Sequence, residues 1–130
     1  MRVKAAEKLY KAGFDVSLRV SPYVPELVDM GRLNGVEVEK CLVEFLRVNH
    51  WIDGWTAREW PEHTLKVGGY RHLPLERKIE LLNGFEFPQM TVCEDVPEHY
   101  LWFKDNYNAN PNDCCNLDGV HDGETAERIK

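Results

Sequence analysis

Beyond its first residue, the segment KCLVEFLRV, from Lys40 to Val48, is apolar everywhere except at Glu44 and Arg47. A half-exposed strand alternates apolar and polar residues, whereas a near-continuous apolar run matches a strand covered on both faces, as in a parallel sheet. The segments around it fit that setting. On the amino-terminal side, FDVSLRVSP alternates Val16, Leu18 and Val20 with Ser17, Arg19 and Ser21 and closes at Pro22. On the carboxyl-terminal side, QMTVCED supplies a third strand from Gln89.

Helical patterns separate these strands. Val3 to Ala12 carries Val3, Ala6, Leu9 and Tyr10 at helical spacing and is ended by Gly13. After Pro74, Leu75, Ile79 and Leu82 share a face, and Asn83-Gly84 stops the pattern. EHYLWFKDNY spaces Tyr100, Phe103 and Tyr107 by three and four residues. PYVPELVDMGRLNG reads as a loop with one or two helical turns, and residues 50–72 as a short helix followed by a long loop. Helix, strand, helix, strand, helix, strand, helix predicts parallel strands joined by crossovers, hence an α/β architecture.

A chain of 130 residues makes one domain, since separate cores arise only beyond ~250 residues. The expected organisation is one α/β domain over residues 1–117 and a polar tail over 118–130. A complete eight-unit β/α barrel takes about 250 residues, or ~31 per unit, so this length holds close to four units. The prediction is a partial (half) β/α barrel with about three parallel strands flanked by helices. The net charge of −6 argues against an extended phosphate-binding surface, so nucleic acid is not the default partner. No run approaches the ~20 apolar residues that span a bilayer, and the amino-terminal lysines are interleaved with apolar positions, unlike a signal peptide. Cysteines at 41, 93, 114 and 115 follow no disulfide framework, and the chain is read as cytoplasmic.

Ligands of parallel α/β folds bind at the carboxyl ends of the strands. Here those ends carry Arg19 and Ser21, then Arg47, Asn49 and His50, then Cys93, Glu94 and Asp95. Glu44 is costly to bury alone and calls for a cation or a hydrogen-bonding ligand, with Arg19 or Arg47 as candidate partners. Trp51, Trp55 and Trp60, near His50, His63 and His72, offer an aromatic wall or a loop anchor. Cys93, His99, Cys114 and Cys115 invite a metal reading, but adjacent cysteines without a CxxC step do not make a zinc site, and no metal is expected. GxGxxG, GxxxxGK[ST] and GxSxG are all absent.

FDVSLRVSPYVPEL resembles the fourth strand and following loop of radical SAM proteins related to spore photoproduct lyase, in which an arginine and an aspartate-proline or serine-proline step occur at the strand end. EKCLVEFLRVNHW and MTVCEDVPEHYLWFKDNYNANPNDCCNL are similar to the fifth and sixth strands of such barrels. The likeness runs from about Gly13 to Leu117, and the hallmark CxxxCxxC loop is missing from this sequence. It implies that Arg19 and Ser21 lie near the ribose or amino-acid part of S-adenosylmethionine, and Glu44, Asn49 and Glu94 near cofactor or substrate. A [4Fe–4S] cluster would have to come from another chain.

Three functional expectations follow. One is the carboxyl-terminal part of a radical SAM-like barrel, not catalytic alone and completed by a complementary chain or a second copy. Another is a non-enzymatic interaction protein, an acidic inhibitor or adaptor of mobile-element type, acting through Arg47, His50, Trp51, Trp55, Trp60 and Asp95. The third is an enzyme using Glu94 and Asp95 as acid and base.

Overall fold

Three strands, β1 (Ser17–Tyr23), β2 (Lys40–Phe45) and β3 (Gln89–Cys93), pair in the order β1-β2-β3, and both pairings are parallel. The structure, a computed structural model, describes residues 2–56 and 58–108. The expected tail at 118–130, and with it Cys114 and Cys115, lies outside the described residues.

Among the described residues five α-helices connect and flank the strands: α1 (Arg2–Lys11), α2 (Met30–Asn34), α3 (His50–Trp55), α4 (Leu75–Leu82) and α5 (Pro97–Asn106). Their limits follow local chemistry. Gly13 takes a φ of 97° just beyond α1, a conformation that costs glycine little. Asp29 caps α2 by accepting from Arg32 N–H, and Asn49 caps α3 by accepting from Trp51 and Ile52 N–H. Proline opens α5 at its first turn, where its missing N–H is no loss.

The predicted α/β class is therefore present as a three-stranded parallel sheet flanked by helices. The sheet is open, with β1 and β3 at its edges.

Two local expectations need correction. The central strand stops at Phe45 rather than Val48, because Val48 leaves the sheet and exchanges backbone hydrogen bonds with Arg71 at 2.9 and 2.7 Å. The stretch expected to be a long loop contains an antiparallel hairpin, β4 (Leu65–Val67) with β5 (Tyr70–His72). Its turn is Gly68-Gly69, both at positive φ, which is the requirement of a tight two-residue hairpin turn.

The register divides the sheet's side chains into two sets. Leu18, Val20, Cys41, Val43, Phe45, Met90 and Val92 join the main apolar cluster, to which α1 adds Tyr10, α2 Leu33, α4 Leu75, Leu81 and Leu82, and α5 Trp102 and Phe103. Val43, Val92 and Phe103 are completely buried there, each contributing about 1.5–3 kcal/mol of hydrophobic stabilisation. By strand alternation the opposite face carries Arg19 beside Leu42 and Thr91, and Glu44 beside Cys93. Ser17, Arg19 and Ser21 on that face are exposed, while Leu42 and Thr91 are buried. Pro22 ends the regular register of β1, which shifts between Val20 and Tyr23 as proline withdraws a ladder donor.

Candidate functional site

The carboxyl ends of β1 and β2 open into a groove lined by Ser21, Glu44, Arg47, Asn49, Trp51, Trp55 and Tyr70, with Pro22, Phe45, Leu46 and Ile52 between them. It encloses about 650 Å³ of space open to solvent. Six of the residues singled out from sequence converge here from two stretches of chain, Ser21 at the end of β1 and the run from Glu44 to Trp55.

Glu44 forms the floor. Its Oε1 accepts from Ser21 Oγ at 2.5 Å and from Arg19 Nη2 at 3.2 Å. The predicted Arg19–Glu44 pair is thus formed across neighbouring strands, and Ser21 completes it. Arg47 forms one wall, paired with the Asp95 carboxylate and placed 4.8 Å from the centre of the Tyr70 ring. A guanidinium held between a carboxylate and an aromatic face keeps its orientation, and its unused N–H donors can still reach an anionic group. Arg47 and Asp95 are both about half exposed, so their ion pair by itself adds little stability.

Trp51 and Trp55, one helical turn apart on α3, form the other wall with ring centroids 6.0 Å apart. They are 56% and 74% exposed, unusual for indoles. His50 lies against Trp51, with a centroid separation of 4.7 Å. Asn49 lines the groove but spends its side-chain oxygen on capping α3.

Trp60 has a different place. At 7% exposure it packs with Val24 and Val48 in a second apolar cluster, donates from Nε1 to Thr56 Oγ1 at 3.2 Å and lies beneath Arg58. His63 stands edge-on to it and bonds through Nε2 to Leu46 O. Of the three tryptophans grouped as an aromatic wall, two face the groove and the third anchors the following loop.

Glu94 is also set apart. One residue past β3 it falls, by alternation, on the apolar-cluster side of the sheet, opposite Glu44. There Lys78 Nζ, on α4, donates to Glu94 Oε2 at 2.7 Å and lies 2.9 Å from His99 Nδ1 on α5. The side chains of Lys78 and Glu94 are 1% and 4% exposed. Burial drives the Lys78 ammonium down from its ordinary value, against the pull of Glu94. Burial, and then the nearby Lys78 charge, also lower His72 and His99, which favours the neutral form of both rings.

Neither Lys78 nor Tyr70 was singled out from sequence. The signal for Lys78 existed: it stands three residues after Leu75 and four before Leu82, within the apolar stripe of α4. Tyr70 owes its position to the hairpin, which sequence did not reveal.

The two described cysteines, Cys41 and Cys93, do not form a shared centre. Cys41 is buried on the apolar-cluster face, with its thiol pushed up to about 12 by burial, while Cys93 lies on the Glu44 face. Among the described residues no group of three or more His, Cys, Asp or Glu side chains is arranged to hold a metal ion.

The fold and groove define an open parallel α/β domain with a polar, aromatic-walled cleft at its strand ends. Comparison of the chain with protein-family models, with curated proteins and with solved structures returned no match in any of the three. No helix among the described residues is long and apolar enough to cross a membrane.

Proposed function

We propose that this chain is the carboxyl-terminal part of a radical SAM-like barrel, supplying the strand-end groove to a pocket for S-adenosylmethionine and substrate. One observation carries the reading. The main apolar cluster, to which α1, α2, α4 and α5 contribute, lies on one face of an open parallel sheet, while the other face carries Arg19, Ser21 and Glu44 beside buried Leu42 and Thr91, and α3 stands at the strand-end groove. In a β/α barrel the helices lie outside and the strand ends hold the ligand. The donor set suits the cofactor: Arg19, Ser21 and Glu44 meet the polar groups of its ribose or amino-acid part, Arg47 can hold a carboxylate, and the indoles of Trp51 and Trp55 suit a purine ring. The described cysteines lie on opposite faces of the sheet, so a [4Fe–4S] cluster does not fit them and comes from another chain in this reading.

Such a chain works in a cytoplasmic setting, joined to a complementary protein or a second copy along the β1 edge, and is not catalytic alone. Titration calorimetry with S-adenosylmethionine tests the reading. Binding that is lost in Arg19→Ala and Glu44→Gln supports it; no binding by the folded chain, alone or with a CxxxCxxC-bearing partner, refutes it.

The exposure of Trp51 and Trp55 favours a second reading, a non-enzymatic interaction protein that meets its partner through these rings. A macromolecular complex that survives Arg19→Ala and Glu44→Gln but is lost in Trp55→Ala selects it. Trp60 is no longer a useful probe here, since its loss would disturb folding.

A further inference from the structure

Behind the groove, a continuous set of contacts joins the buried cluster to the exposed wall. Lys78 Nζ donates to Glu94 Oε2 at 2.7 Å. The other carboxylate oxygen, Oε1, accepts from the backbone N–H groups of Asp95 and Val96, each at 3.1 Å. Asp95, so fixed, pairs with Arg47, and Arg47 lies over Tyr70 in the groove. At the far end, Lys78 Nζ reaches His99 Nδ1 at 2.9 Å. An ammonium has only donors, so His99 must present a lone pair at Nδ1 and carry its proton at Nε2.

We propose that Lys78, Glu94 and His99 are positioning residues for the groove: they hold the Asp95–Arg47 arm in place, and the arm is released when His99 takes up a proton. The inference deepens the ligand-binding reading and rests on it for its function, although the linkage itself does not need a ligand. Lys78, Glu94 and His99 lie outside the residues that line the groove.

The electrostatics give the device its direction. Lys78 on α4 is faced by Glu94 and Asp95 after β3 and by His99 on α5. His99 is faced in turn by Lys78, Glu94, His72 from β5 and Glu98 on its own helix. His72 also feels Arg47. A proton on His99 turns an acceptor into a donor and sets two cations against each other in a nearly dry site. Glu94 then has two cations to satisfy, and its hold on the Asp95 and Val96 amides is the exposed side of that competition. Arg77 does not enter: it pairs with Glu62 and Glu80.

The test uses the full chain and nuclear magnetic resonance of two side chains, the Arg47 Nε–Hε group and the His99 ring nitrogens. At pH 7.5, Arg47 gives a resolved Nε–Hε signal and His99 the Nε2–H tautomer. As the pH is lowered through the range in which the His99 ring nitrogens themselves report proton uptake, below the ordinary histidine value, the Arg47 signal collapses to the solvent-averaged position in step with that uptake. His99→Asn retains an acceptor oxygen near the Nδ1 position and cannot titrate, so its Arg47 signal persists across the same range. Glu94→Gln loses the signal at every pH while its backbone amide spectrum stays dispersed. If Glu94→Gln does not fold, the comparison of the wild type with His99→Asn decides alone.

An Arg47 signal that persists in folded Glu94→Gln, or that fades identically in wild type and His99→Asn, overturns the proposal. With S-adenosylmethionine as the probe, wild-type affinity falls about tenfold across the His99 titration, the worth of one charge-assisted contact, and over the same pH range in His99→Asn it does not. A chain that never binds the probe but shows the Arg47 behaviour refutes the proposed ligand and leaves the positioning device standing.

Discussion

Lys78→Met is the most informative single change. Removing one member of a buried ion pair costs about 3–5 kcal/mol, because the remaining charge is left uncompensated. Glu94 would keep its two backbone donors, Asp95 and Val96 N–H, and methionine replaces most of the lysine stem, so the loss sits near the lower end, about 3 kcal/mol. Glu94→Leu is worse. It strands the Lys78 ammonium with only His99 Nδ1 and also gives up those two backbone bonds, each worth about 1 kcal/mol, which places it near 5 kcal/mol.

The double variant Lys78→Met/Glu94→Leu buries no charge and should recover at least about 2 kcal/mol relative to the sum of the singles. Urea unfolding at pH 7.5, followed by tryptophan fluorescence, measures all four proteins. With a slope of about 1–3 kcal/mol per molar, the lysine change lowers the midpoint by roughly 1–3 M. A loss below about 1 kcal/mol for Lys78→Met at unchanged slope, or strict additivity in the double variant, would refute the view that the cluster is a closely coupled buried pair.

Acid should destabilise the fold through its buried histidines. His63, His72 and His99 all have folded-state values below the ordinary one, chiefly through burial. Their contribution is complete above ~6.5 and declines as pH falls below it, since the unfolded chain then takes up protons that the folded one refuses. Urea midpoints at pH 7.5 and 5.5 check this, and an equal or higher midpoint at 5.5 contradicts it. Cys41, with its thiol pushed up to about 12, should resist iodoacetamide in the native protein at pH 8 and react once the chain is unfolded in urea, with the label located by peptide mass spectrometry. Among the tryptophans, Trp55→Ala should change stability by less than about 0.5 kcal/mol, and Trp60→Ala should cost about 3–5 kcal/mol; comparable losses in urea unfolding would overturn the assignment of one to the groove and the other to a core.

Local sequence determined which segments are strands and helices and which face of each is apolar. The run from Lys40, the alternation through Leu18 and Val20, and the proline and Asn-Gly limits of the helix at 75–82 are near-neighbour patterns, set by backbone sterics and side-chain period; the two strands reappear in the structure with shifted ends and the helix with the limits read from sequence. The hairpin was missed for the same reason: three residues a side are too few to display a period, and Gly68-Gly69 was the one cue.

Tertiary structure decided which residues meet. Arg19, Ser21 and Glu44 share a face only because Arg19 pairs with Leu42 and sets the register of β1 on β2. Glu94 was grouped with Glu44 as a strand-end carboxylate, yet an offset of one residue along β3 turns it to the opposite face and into contact with Lys78. Trp51 and Trp55 remain in solvent while Trp60, a few residues on, is buried, because Val24 and Val48 happen to pack there. A period of two or 3.6 residues fixes a side chain's direction within its own element; its partner comes from another element, and that choice is made by the register and burial that all the elements reach together.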